Sequence, residues 1–91
     1  MKAAQWVDRV KIARGWESDY RAAKELGLSR NTISNYRTKT PTLEEDTALK
    51  IAAALGQAPE VILIDQMIER SKSEVARSAL RDAAARLCIL C

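Results

Sequence analysis

Apolar residues recur along this chain at intervals of three and four positions, and glycines, prolines and short polar residues interrupt them. This is the pattern of short amphipathic α-helices. The first predicted helix covers 3–14 and ends at Gly15, a residue type that favours helix C-termini. Its inner face is predicted to comprise Ala3, Trp6, Val7, Val10 and Ala13.

Two shorter helices follow. Ser18 or Asp19 is the predicted N-cap of the second helix, and Gly27 ends it. The inner face of this helix is predicted to comprise Tyr20, Ala22, Ala23 and Leu26. Ser29 caps the third helix, which directs Ile33 and Tyr36 inward and runs to about Thr38, before Pro41 prevents its continuation.

Three further helices are predicted after Pro41. Thr42 is the expected cap of the fourth, which ends at Gly56 and has an apolar stripe of Leu43, Ala48, Ile51, Ala52 and Leu55. Pro59 opens the fifth as a first-turn proline, and its packing candidates are Val61, Ile62, Ile64, Met67 and Ile68. Ser71 and Glu74 have the spacing of a capping box, so a sixth helix is predicted over about 72–90.

Composition supports this all-helical interpretation. The 91 residues are 47% hydrophobic and contain no phenylalanine, and this length allows one small domain with an appendage. The net charge is +3, with nine basic and four acidic residues in 1–40 but six and eight in 41–91. The basic half suggests an anionic partner, although solvated helix faces would give the same count.

The second and third helices have the requirements of a helix-turn-helix. Close crossing needs a small residue, here Ala23, and the turn needs a residue that tolerates positive φ, here Gly27. Leu26, Leu28, Ile33 and Tyr36 would supply the apolar contacts. The outward positions carry hydrogen-bonding groups that read base edges and phosphates, namely Ser29, Arg30, Asn31, Thr32, Ser34, Asn35 and Arg37. The third helix is therefore the candidate recognition helix.

The sequence resembles the Cro/C1-type (XRE-like) helix-turn-helix family over about residues 3–70. The resemblance rests on Ala23, Gly27, Leu28-Ser29, Ile33-Ser34-Asn35-Tyr36, Pro41 and Ala48-Leu49-Lys50-Ile51-Ala52-Ala53-Ala54-Leu55-Gly56. It implies an all-α, five-helix, lambda-repressor-like domain that binds double-stranded DNA. It also implies a repressor that binds a palindromic operator as a homodimer, similar to those of bacteriophages and prophages.

Carried over residue by residue, the resemblance assigns two sets of contacts. The expected base-contacting residues are Ser29, Arg30, Asn31, Ser34 and Asn35. The expected phosphate-contacting residues are Tyr20, Arg21, Thr32, Arg37, Thr38 and Lys39. No catalytic residue and no metal ligand is expected.

The segment 71–91 lies outside the domain formed by 1–70. Its predicted helix has a broad apolar face comprising Val75, Ala76, Ala79, Leu80, Ala83, Ala84, Leu87, Cys88 and Cys91. This face requires a cover. We favour pairing with a second copy, followed by packing on the domain; contact with a membrane surface is the least favoured option.

Other function classes receive little support. The chain lacks histidine and a glycine-rich phosphate loop, so we expect neither an enzyme nor a cofactor. Cys88 and Cys91 form half of a zinc site at most. With no signal peptide and no apolar run of membrane length, a cytoplasmic protein at the bacterial nucleoid is expected. The alternative is a protein-interaction module, an anti-repressor or adaptor, that reuses the helix-turn-helix fold.

Overall fold

The computed structural model describes residues 1–39 and 42–86, and within them the chain forms six α-helices and no strand. The helices are α1 (Ala3–Arg14), α2 (Asp19–Leu26), α3 (Arg30–Thr38), α4 (Glu45–Leu55), α5 (Pro59–Arg70) and α6 (Glu74–Arg86). The all-α prediction is confirmed. The predictions made for Pro41, for Cys88 and Cys91 and for the end of the sixth helix lie outside the described residues.

One apolar core joins the first five helices. Ile33 and Tyr36 of α3 belong to one cluster of buried side chains that also includes residues of α1, α2, α4 and α5. The largest fully buried side chains of this core are Trp6, Ile33, Leu43, Ile51 and Ile62. The prediction for α1 is correct at Ala3, Trp6, Val7 and Val10, whereas Ala13 is exposed.

The prediction that Tyr20 belongs to the inner face of α2 is wrong. Ala22, Ala23 and Leu26 are buried, but the Tyr20 side chain is 62% exposed. With 100° between successive residues, Tyr20 lies about 110° from the centre of the face that these three residues define. It therefore stands beside the core and projects into solvent.

The predicted cap of α4 is also wrong. The helix begins at Glu45 with Glu44 at the N-cap, two residues after Thr42. The cause is Leu43, which is fully buried and whose backbone is bound by α5. Its N–H donates to Gln66 Oε1 at 2.8 Å, and its carbonyl accepts from the Arg70 guanidinium. Because α5 satisfies these backbone groups, α4 begins only after them.

Polar contacts also join α5 to α1 and to Met1, which precedes α1. The Trp6 indole donates to Asp65 Oδ2 at 2.8 Å, and the buried Gln66 amide donates to the Met1 carbonyl at 2.8 Å. In the fifth helix the sequence prediction holds for Ile62 and Ile68, which are buried, but Met67 is 49% exposed. Buried side-chain amides usually have hydrogen-bond partners, and Gln66 bonds to three different residues here.

The sixth helix begins at Glu74, so the predicted capping box at Ser71 is not formed. Instead, Ser73 Oγ accepts from the Ala76 backbone N–H at 3.3 Å. Among the described helices, α6 contacts α5 alone. Ala84 is its one buried residue within 74–86, while Leu80 and Ala83 are half-buried. On the predicted apolar face, Val75, Ala76 and Ala79 are exposed, Val75 at 82%. The positions predicted for this face at Leu87, Cys88 and Cys91 lie outside the described residues.

Candidate nucleic-acid interface

The candidate recognition helix α3 is anchored along its inner side. Ile33 and Tyr36 are 1% and 4% exposed, which confirms both as core residues. At the N-terminus, Ser29 Oγ accepts from the Thr32 backbone N–H at 3.1 Å and so satisfies one of the orphan donors of the first turn. The orientation of α3 is therefore set by core contacts, which leaves its outer side chains to project into solvent.

The turn before α3 depends on Gly27. This residue has φ of 68°, in the left-handed region that glycine adopts readily. The Leu28 N–H donates to the Ala23 carbonyl at 2.8 Å, which closes the end of α2 and starts the chain towards α3. The turn predicted from Ala23 and Gly27 is confirmed.

The hydroxyl of Tyr36 links α3 to the beginning of α4. It donates to the Glu44 carboxylate and lies 3.2 Å from Thr47 Oγ1. Burial, followed by the adjacent Glu44 carboxylate, raises the pKa of Tyr36 to about 12. The same hydrogen bond holds the pKa of Glu44 below its ordinary value. Glu44 is therefore engaged with α3.

Three of the five predicted base-contacting residues have solvent-exposed side chains on α3. Arg30, Asn31 and Ser34 are exposed, and none of their side chains makes a hydrogen bond to another residue of 1–39 or 42–86. Asn35 is half-buried beside them. Ser29 is exposed, but its hydroxyl is committed to the helix cap and to Thr32 Oγ1 at 2.8 Å. Arg30 and Asn31 are the side chains best placed to reach an external partner.

Tyr20 contributes to this surface by stacking with Arg30. The guanidinium carbon of Arg30 lies 5.8 Å from the centroid of the Tyr20 ring, within the range of a cation–π contact. The pair borders a groove of about 520 Å³ between α2 and α3. The groove is lined by Asp19, Tyr20, Arg30, Asn31, Ile33, Ser34 and Arg37. Five of the eleven predicted site residues thus meet at one concave surface, whereas the other six do not line it, namely Arg21, Ser29, Thr32, Asn35, Thr38 and Lys39.

Arg37, a predicted phosphate contact, is bound to two carboxylates. Its Nε donates to Asp19 Oδ2 at 2.7 Å, and its Nη2 donates to Asp19 Oδ1 at 2.7 Å and to Asp8 Oδ1 at 2.8 Å. Lys11 Nζ also donates to Asp19, at 2.9 Å. We refer to Asp8, Lys11, Asp19 and Arg37 as the charge cluster. It contains two cations and two anions and connects α1, α2 and α3.

The electrostatics of the charge cluster favour the ionised forms of Asp19 and Arg37. The Arg37 guanidinium, and after it the Lys11 ammonium, hold the pKa of Asp19 well below its usual range. Reciprocally, hydrogen bonds to Asp19 and then to Asp8 raise the pKa of Arg37. A phosphate that approached Arg37 would compete with these two carboxylates.

The remaining predicted phosphate-contacting residues differ in whether their side chains already form hydrogen bonds or ion pairs within the protein. Arg21 Nε donates to Glu25 Oε1 at 3.0 Å, one turn along α2. Thr38 Oγ1 donates to the Ser34 carbonyl at 2.9 Å. Lys39 is exposed at the end of α3, and its ammonium has no ion-pair partner in the described part of the chain. Lys39 is the cation at this edge with the least internal competition.

The sequence interpretation missed two contributions to this surface. The sequence interpretation does not predict that Asp8, Lys11 and Asp19 hold Arg37 in place, and no spacing in the sequence indicates it, because these three residues and Arg37 are distributed over three helices. The stacking role of Tyr20 had a signal, since helical periodicity places Tyr20 away from Ala22, Ala23 and Leu26. An exposed aromatic ring ten residues before an exposed arginine was compatible with contact across the turn.

A family model of helix-turn-helix proteins matches residues 11–62, which is more than half of the chain. The chain belongs to the Cro/C1-type helix-turn-helix family. The match extends from the last turn of α1 to the first turn of α5, so it contains all of α2, α3 and α4. Neither the search of curated proteins nor the search of solved structures gave a match.

Membership of this family gives the general activity. This helix-turn-helix protein is a DNA-binding regulator of transcription, and its family consists of regulators that are generally not enzymes. The α2–α3 surface described above lies inside the matched region, whereas α6 lies outside it. Within residues 1–39 and 42–86, no helix has both the length and the apolarity needed to cross a membrane.

Proposed function

We propose that this helix-turn-helix protein is a sequence-specific repressor of the phage or prophage type, which binds a palindromic operator as a homodimer. The observation that carries the proposal is the exposed surface of α3, where Arg30 and Asn31 project beside Tyr20 from a helix fixed by Ile33 and Tyr36. A helix held by its inner side can enter the major groove without repacking.

The proposed base contacts are Ser29, Arg30, Asn31, Ser34 and Asn35. Arginine pairs in a bidentate manner with guanine, asparagine with adenine, and serine with either. Arg30 is the principal reader in this proposal because stacking on Tyr20 limits the orientations of its guanidinium. Asn31 is the second reader, since its amide is exposed in the first turn of α3.

The proposed phosphate contacts are Tyr20, Arg21, Thr32, Arg37, Thr38 and Lys39, and their parts differ. Lys39 acts as a direct phosphate ligand, supported by its exposed position after α3. Arg37 acts chiefly by bracing α3 against α1 and α2, since Asp8 and Asp19 already occupy its donors. The side chain of Tyr20 is exposed and its hydroxyl has no hydrogen-bond partner among residues 1–39 and 42–86, so it can reach a phosphate while its ring supports Arg30.

The proposed homodimer uses the exposed face of α6. Val75, Ala76 and Ala79 are exposed there, and the small side chains permit close approach of a second helix. Two copies would present two recognition helices to half-sites about one DNA turn apart. Deleting residues 72–91 is expected to weaken dimerisation and operator binding together. A truncated protein that stays dimeric at micromolar concentration in analytical ultracentrifugation would contradict this assignment.

Selection from a pool of random duplex DNA, repeated at low and high salt, tests the proposed function. A palindromic consensus is expected at both salt concentrations, with lower affinity at high salt because each phosphate contact releases counterions. Recovery of a single half-site would contradict the dimer. Salt-sensitive retention without any consensus would contradict sequence-specific repression and would favour the protein-interaction module instead.

A further inference from the structure

A second concave surface lies at the opposite end of α2 from the Tyr20–Arg30 stack. It is a groove of about 520 Å³ formed where the C-terminal parts of α1, α2 and α4 meet. Trp16, Leu26 and Ala54 contribute its apolar lining. This groove shares no lining residue with the groove between α2 and α3. We refer to it as the rear groove.

Three cations surround the rear groove. Arg14, Lys24 and Lys50 line it, all three are exposed, and none forms an ion pair within the described residues. The carboxylate of Glu25, which also lines the groove, is bound by Arg21 at 3.0 Å. The Lys50 ammonium lies against the turn, 3.7 Å from the position that a Cβ on Gly27 would occupy. The rear groove is therefore positively charged.

Helix dipoles account for part of this charge. Arg14 and Lys24 lie in the last turns of α1 and α2, where a cation offsets the partial negative charge of a helix C-terminus. Each terminus carries only about half an elementary charge, so three full cations leave an excess. Lys50 stands in the middle of α4 and has no such role. The excess positive charge is available to a partner.

The apolar lining indicates which class of anion fits. A phosphate backbone gains nothing from an indole and aliphatic side chains, whereas a peptide can insert an apolar side chain between flanking carboxylates. Trp16 is half-buried and has one side in the rear groove and another in a neighbouring depression beside Ile12. Ile12 is 84% exposed, so the apolar surface continues past the indole.

We propose that the rear groove binds an acidic peptide segment of a partner protein, with an apolar side chain against Trp16 and carboxylates on Arg14, Lys24 and Lys50. Its position away from α3 allows this contact while the recognition helix occupies DNA. The inference goes beyond the proposed repressor, because neither the operator nor the dimer requires this surface.

Selection of short random peptides displayed against the full chain tests the proposal. The enriched peptides are expected to carry acidic residues around one large apolar residue. Their affinity should fall at least about tenfold for the double variant Lys24→Glu/Lys50→Glu, because like charges then face each other. Lys72→Glu, an exposed lysine between α5 and α6, is the matched control and should retain full affinity. In ¹⁵N NMR spectra, the peptides should shift the Trp16 indole and the Gly27 amide.

Several results would overturn the proposal: no enriched peptide, enriched peptides without acidic residues, or unchanged binding by the double variant. Equal loss of DNA binding and peptide binding by that variant would also overturn it, since the rear groove would then belong to the DNA interface. Operator selection is a separate experiment. A missing DNA consensus with intact peptide binding would refute the repressor alone, and the reverse result would refute the peptide site alone.

Discussion

The recognition helix α3 and the last helix α6 are held in opposite ways. The shorter helix, α3, has nine residues and buries Ile33 and Tyr36, and polar contacts tie it to α1, α2 and α4. The longer helix, α6, has thirteen residues in the described part of the chain, of which Ala84 is buried, and among the described elements it contacts α5 alone. Length therefore says little about how firmly a helix is fixed here.

This difference matches the demands of the two proposed tasks. Reading base edges requires side chains that project from a fixed frame, since loss of orientation weakens bidentate hydrogen bonds. Association with a second copy requires an uncovered apolar face instead. The exposed surface of α3 is polar, whereas that of α6 includes Val75, Ala76 and Ala79.

The largest expected difference between the two helices concerns folding stability. Ile33→Ala should lower the free energy of unfolding by about 2–5 kcal/mol, because it removes buried methylene groups and leaves a cavity. Val75→Ala in α6 should change it by less than about 0.5 kcal/mol. Ile12→Ala, the same substitution at an exposed site, is the matched control. Urea denaturation at one low protein concentration measures all three, and comparable losses for Ile33 and Val75 would refute the contrast.

The next effect concerns DNA affinity without a loss of stability. Arg30→Ala should weaken binding to the selected operator by about 1–3 kcal/mol, through loss of a bidentate base contact. Tyr20→Leu should cost about 0.5–1 kcal/mol, since it removes the cation–π contact and keeps an apolar side chain. Arg81→Ala, an exposed arginine in α6, is the control. Fluorescence anisotropy provides the affinities, and equal affinity for Arg30→Ala would remove that residue from the proposed readout.

The sequence correctly predicts those features of the helices that depend on nearby residues. The cap residues Gly15 and Ser29 correctly predict the end of α1 and the start of α3, and the helical period correctly predicts that Ile33 and Tyr36 point inward. It fails where the deciding partner is distant along the chain. Leu43 delays α4 through contacts with Gln66 and Arg70, 23 and 27 positions later.

In the candidate site, too, features that depend on nearby residues can be predicted from the sequence, whereas contacts between distant residues cannot. The local chemistry of α3 indicates Arg30 and Asn31 as readers, since both lie in its first turn. The contacts of Arg37 with Asp8 and Asp19 span 29 and 18 positions and have no local pattern. For α6, the amphipathic sequence predicts an apolar face that packs against another surface, but the pattern does not specify whether that surface belongs to this chain or to a partner.

A smaller effect is expected from loosening the charge cluster. Arg37→Gln removes the guanidinium that forms ion pairs with Asp8 and Asp19. It should lower the free energy of unfolding by about 0.2–1 kcal/mol, the usual range for exposed ion pairs. Arg81→Gln in α6 should leave it unchanged, because Arg81 has no ion pair among the described residues. If Arg37 were mainly a phosphate ligand, the variant would bind DNA more weakly, and its DNA affinity would depend less steeply on salt concentration. Its free energy of unfolding would then be unchanged.

The smallest expected effect is a change in acid sensitivity. Hydrogen bonds from Arg37 and then Lys11 lower the pKa of Asp19 from its ordinary value of 3.8, so the carboxylate stabilises the fold above that value. As the pH falls, the unfolded chain binds the proton first, and this stabilisation is lost progressively below about pH 5. Asp19→Asn should therefore lose stability less steeply than the wild type between pH 5 and pH 2. Asp82→Asn in α6, at a residue with no ion pair in the described part of the chain, should lose stability with falling pH as steeply as the wild type. Urea denaturation at several pH values measures the free energy of unfolding of all three proteins. If it falls equally in all three, the ionisation of Asp19 does not contribute to holding α3 in place.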